Sequence, residues 1–123
     1  MPKVILVVED DPKSLILTRD ILQASGYTTI EAIDGEQGVE LAKAKKPDLI
    51  LMDILMPKMD GYAACHAIKT DKATREIPVV MLTAMGYELN KELAKRLGAG
   101  GYITKPFSRQ ELLDVISQFL PTS

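Results

Sequence analysis

Residues able to carry charge or move protons stand directly behind short apolar runs. VILVV (4–8) is followed by Glu9, Asp10 and Asp11, LILM (49–52) by Asp53, VVML (79–82) by Thr83, and GYIT (101–104) by Lys105. Burying an unpaired carboxylate costs several kcal/mol, so Asp53 needs a partner or a task. Ionised carboxylates gathered in one cleft repel one another, and a divalent cation relieves that. The donors are hard oxygens with no histidine or cysteine beside them in sequence, which favours magnesium over zinc, with manganese as the alternative. Such an ion keeps open positions that accept a phosphoryl oxygen. A hydroxyl from Thr83 and an ammonium from Lys105 would serve two further oxygens. Asp53 is then the nucleophile, since a carboxylate can form an acyl phosphate.

These groups meet only if the elements carrying them are arranged to bring them together. Strands are expected at Lys3 to Val8, Thr28 to Ala32, Asp48 to Met52, Pro78 to Leu82 and Gly101 to Thr104. Helices are expected over 12–25, 35–45, 61–70, 87–97 and 108–120. Alternating strands and helices imply a parallel sheet with right-handed crossovers. Its near-continuous apolar strands are covered by helices on both faces, and the more polar TTIEA suits an edge. In such a sheet these polar residues all fall at the carboxyl ends of strands, where these folds bind ligands. Asp11-Pro12, Asp34 with Gln37, Asp60-Gly61 and Ser108 with Glu111 read as helix starts. Gly26 and Gly98 read as helix ends.

Composition narrows the function classes. The chain has 123 residues, the size of one domain, and a net charge of −2, which gives no sign of nucleic-acid binding. No apolar stretch approaches the ~20 residues of a membrane span, and the early acidic residues do not fit a signal peptide. The lone Cys65 excludes an internal disulfide and fits a reducing cytoplasm. Cys65 reads as a core residue, and His66, the only histidine, as a surface helix residue.

Together VILVVEDDP, LILMDILMPKMDG, VVMLTA and GAGGYITKPF, with the spacing between them, resemble the receiver domain of two-component response regulators, of the CheY-like kind. The resemblance runs from residue 3 to about 120. It implies a flavodoxin-like three-layer α/β sandwich of strand order 2-1-3-4-5, one receiver domain over 1–123 and no output domain. It makes Asp53 the phosphoacceptor for a histidine kinase or histidine phosphotransfer protein. Asp10, Asp53 and the main-chain carbonyl of Leu55 become metal ligands, and Glu9 acts through water. Thr83 and Lys105 contact the phosphoryl group, Thr83 and Tyr102 form the switch, and Lys105-Pro106 takes the position of a cis peptide.

The signal is then expected to leave through the surface of residues 87–120 to a downstream protein. The protein is expected to be a cytoplasmic monomer or weak dimer that touches neither nucleic acid nor membrane and is not an enzyme beyond its own phosphotransfer. Gly100-Gly101 departs from the family, where acidic or amide residues often make dimer contacts. Leu55 and Met85 flank the site and are expected to slow an attacking water; Met56 and Met59 are expected at its rim. Two alternatives stand beside this reading. One is a receiver excised from a larger DNA-binding or enzymatic regulator. The other is a magnesium phosphatase with an aspartyl intermediate, against which EDD at 9–11 lacks the D-x-D pattern and no cap domain is expected.

Overall fold

The computed structural model describes residues 2–84 and 90–120. Strands β1 (Val4–Val8), β2 (Thr28–Ala32), β3 (Leu49–Asp53), β4 (Val79–Thr83) and β5 (Gly101–Thr104) alternate with helices α1 (Pro12–Ala24), α2 (Gly35–Lys45), α3 (Gly61–Lys69), α4 (Lys91–Arg96) and α5 (Arg109–Phe119). All pairings are parallel, in the order β2-β1-β3-β4-β5. This is the expected flavodoxin-like sandwich, with TTIEA at an edge.

The apolar runs are buried on both faces, and their alternation divides the core in two. Leu6, Val8, Ile50, Met52, Val79 and Met81 pack with Ala42 of α2 and Ala64, Cys65 and Ile68 of α3. Ile5, Val7, Leu49, Leu51, Val80 and Leu82 pack with Leu22 of α1 and with Leu112 and Ile116 of α5. Each fully buried Leu or Ile contributes about 1.5–3 kcal/mol, which anchors β1, β3 and β4 firmly; β5 is held by Ile103 alone among its buried residues. Met56 and Met59 are half-buried against the first of these clusters. Met85 lies outside the described residues.

Side chains set the helix starts. Asp11, Asp34 and Asp60 accept hydrogen bonds from the backbone N–H groups of Ser14, Gln37 and Ala63 at 3.2, 2.8 and 2.8 Å. Ser108 and Glu111 form a reciprocal capping box. Gln37 instead reaches one residue further back and accepts from the Ile33 N–H at 3.0 Å, so Asp34 caps alone. Gly26 and Gly98, with φ of 94° and 97°, follow α1 and α4 as helix-ending glycines should.

Most elements differ from expectation by about a residue at one or both ends, and the shift at the start of β3 has a visible side-chain cause. β3 starts at Leu49, because the Asp48 carboxylate turns to the Val4 N–H at 2.8 Å. It extends through Asp53, whose register partner is Leu82. α4 runs Lys91–Arg96 among the described residues, with Asn90 capping it through Leu93 N–H at 2.9 Å; the expected start at residue 87 lies outside the described residues.

Candidate functional site

Four strand ends build the site. β1 delivers Glu9 and Asp10, β3 delivers Asp53, β4 delivers Thr83, and β5 delivers Lys105. The order β1-β3-β4-β5 makes these strands neighbours, so residues up to 96 positions apart meet at one edge. The ligand oxygens of Glu9, Asp10 and Asp53 all lie within 4.8 Å of one another. Glu9 and Asp53 are buried and Asp10 is exposed, so the cluster opens to solvent on the Asp10 side. Lys105 extends its ammonium into the cluster, where it bonds Glu9 Oε2 and stands 3.7 Å from Asp53 Oδ1.

Backbone donors hold the carboxylates. The Ile54 N–H donates to Asp53 Oδ1 at 2.9 Å, and the Asp11 N–H donates to Glu9 Oε1 at 3.2 Å. Burial, then the charge of Glu9, pushes the Asp53 carboxyl up to about 7, while Lys105 pulls the other way. Lys105 therefore does not fully compensate the carboxylates it serves. Gathered hard oxygens with residual negative charge are a fitting donor set for magnesium.

The remaining residues divide. Thr83 is buried at the end of β4, where its hydroxyl pairs with that of Thr104 at 3.4 Å. The Lys105–Pro106 peptide bond is cis. Leu55 follows β3 and is 57% exposed. Tyr102 is 43% exposed, with the Lys91 ammonium 5.1 Å from its ring centre. Contact with the Tyr102 hydroxyl raises the pKa of Lys91. Cys65 is buried, and burial pushes its thiol up to about 11, the environment of an inert core thiol; His66 is exposed.

Sequence reasoning missed the Thr104 hydroxyl, although Thr83 and Thr104 are register partners and Thr104 precedes Lys105. It also missed the backbone support from Ile54 and Asp11, which no side-chain pattern encodes.

The family model for the response regulator receiver domain matches residues 5–117. The transcriptional regulator RpaA of Synechocystis is 42% identical over 92% of this chain, which spans about half (46%) of RpaA's length. The polar-differentiation response regulator DivK of Brucella anthropi is 38% identical, with 98% of both chains covered. Among solved structures, the receiver domain of a sensor histidine kinase from Pseudomonas aeruginosa superimposes with a TM-score of 0.90 at 32% identity, over 99% of this chain and all of that one. That structure holds a magnesium ion in its active-site cleft. Fold, strand-end chemistry and the near-complete match agree: this chain belongs to the response regulator receiver domain family.

Proposed function

We propose that this domain is a phosphorylation-activated switch of a two-component phosphorelay. It takes a phosphoryl group onto Asp53 from a histidine kinase or histidine phosphotransfer protein. The observation that carries the reading is the meeting of Asp53, Glu9, Asp10 and Lys105 at one sheet edge. Asp10, Asp53 and the Leu55 carbonyl are the residues that would hold magnesium, with Glu9 acting through water. Manganese is the alternative ion. Magnesium, when bound, supplies positive charge that keeps Asp53 ionised and draws charge from the phosphoryl oxygens.

The chain's own groups do the rest. An Asp53 oxygen attacks phosphorus while the bond from phosphorus to the donor's imidazole nitrogen breaks. The electron pair stays on that nitrogen; with the ring's other nitrogen carrying a proton, the products are an acyl phosphate and a neutral imidazole. The Ile54 N–H fixes the carboxylate's orientation through Oδ1. Lys105 turns from Glu9 to a phosphoryl oxygen, and the Thr83 hydroxyl leaves Thr104 for another. Movement of Thr83 makes room for Tyr102 to turn inward, and the surface of residues 87–120 changes for a downstream protein. The added charge of about −1.5 to −2 shifts a pre-existing equilibrium. Leu55, exposed beside the site, hinders an attacking water and prolongs the phosphorylated state.

The half-length match to RpaA supports a second setting for the same chemistry, as the input part of a larger regulator. In either setting the domain works in the cytoplasm as a phosphoacceptor rather than as an enzyme acting on other substrates. No described helix is long and apolar enough to cross a membrane. The test is incubation with magnesium and acetyl phosphate, followed by intact mass. One added phosphoryl group in the native protein and none in Asp53→Asn is expected; equal labelling of both refutes the reading.

A further inference from the structure

Residues 54–60 join β3 to α3 and carry Leu55, whose main-chain carbonyl is one of the magnesium ligands proposed above. The Gly61 N–H closes the base of this loop on the Ile54 carbonyl at 2.8 Å. Its tip is a three-residue turn, in which the Met59 N–H donates to the Pro57 carbonyl at 2.7 Å around Lys58 at φ 67°. A turn of this size with a positive φ at its centre is the rare, strained kind. A residue with a side chain keeps such a conformation only where its surroundings hold it.

The start of α2 does the holding. Lys58 is 64% exposed, yet its ammonium reaches in to the Asp34 carboxylate, which is 6% exposed, at 3.8 Å. The two Asp34 oxygens divide the work: Oδ1 accepts from the Gln37 N–H and caps α2, and Oδ2 meets Lys58. Gly35 lets the loop lie directly on the helix, since a Cβ there would stand 2.4 Å from the Met59 carbonyl oxygen. The Met59 side chain packs against the core cluster that α2 and α3 share.

We propose that Lys58 is a positioning residue for the metal site: its pairing with Asp34 pins the strained turn and so presets the Leu55 carbonyl for magnesium. A main-chain ligand is aimed only by its loop, and magnesium demands near-ideal octahedral geometry. A loop already held in place loses less freedom when the ion binds. The role depends on the ligand assignment proposed above.

Magnesium chloride is titrated by calorimetry into native protein, Lys58→Gln, Asp34→Asn, the double variant, Lys58→Arg and Asp10→Asn. Asparagine at position 34 keeps an oxygen for the Gln37 N–H, so the helix cap survives and the charge goes. Each of Lys58→Gln and Asp34→Asn should bind magnesium about threefold more weakly, the worth of one partly exposed ion pair. The double variant should bind no more weakly than either, because the second change removes nothing further. Lys58→Arg should bind as native protein does. In metal-free protein the Met59 amide, which closes the turn, should exchange with deuterium faster in Lys58→Gln than in native. A bare change of surface charge has the opposite sign at position 58, since removing a cation favours the binding of another. Unchanged or tighter binding in Lys58→Gln, or a double variant weakened by the product of the two single losses, overturns the proposal. If native protein binds magnesium, Asp10→Asn does not, and Lys58→Gln matches native, the positioning role fails and the metal site stands. If native protein binds no magnesium, both fall together.

Discussion

Replacing Asp53 by asparagine in metal-free buffer should stabilise the fold while destroying its function. The carboxyl is raised from 3.8 to about 7, chiefly by burial and then by Glu9. An acid whose pKa is higher in the folded than in the unfolded chain binds more protons when folded. Its ionisation is thus a cost, absent below pH 3.8 and complete above about pH 7. At about 1.4 kcal/mol per tenfold, the gap corresponds to at most about 4 kcal/mol. The cluster opens to solvent at Asp10, and screening reduces this to about 1–2 kcal/mol. Asparagine keeps an oxygen for the Ile54 N–H and brings an amide that can donate to Glu9. Urea unfolding at pH 8 should therefore show a gain of about 1–2 kcal/mol, most of it gone at pH 4.5. A variant less stable than native at pH 8, or a gain equal at both pH values, refutes the reasoning.

Other perturbations separate the parts. Magnesium should raise the melting temperature of the native protein at pH 8 and have little effect on Asp53→Asn or Asp10→Asn, measured by thermal denaturation. Gly61→Ala should cost about 2–4 kcal/mol and slow acetyl phosphate labelling, because its Cβ would lie 2.2 Å from the Asp53 carbonyl oxygen and push the end of β3. Ser108→Ala should cost about 1 kcal/mol in urea unfolding by breaking the α5 capping box, with labelling unchanged. Leu55→Asn should speed loss of the phosphoryl group, followed by mass against time; an unchanged decay rate removes its role as a water shield.

Much of the fold was legible because alternation, caps and turn residues are local signals. Asp11, Asp34, Asp60 and Ser108 cap the helices their spacing suggested. The site was legible because each of its residues follows an apolar strand, and a parallel sheet gathers such positions at one edge. What stayed hidden depends on tertiary partners. Asp48 looks like the start of β3 until its carboxylate is found on Val4 N–H. Lys58 takes a φ of 67°, usually left to glycine or asparagine, and its ammonium stands 3.8 Å from the Asp34 carboxylate. The bond from Lys105 to Glu9 joins groups 96 residues apart, and nothing local tells whether that lysine faces Glu9 or solvent.

The most direct measurement is chemical trapping of the modified side chain. Protein incubated with magnesium and acetyl phosphate is reduced with borohydride, which converts an aspartyl phosphate to homoserine, and is then mapped by peptide mass spectrometry. Homoserine at position 53 alone is the predicted result. Homoserine at position 10 or elsewhere, or an unmodified Asp53 in protein that has gained a phosphoryl group, would contradict the account.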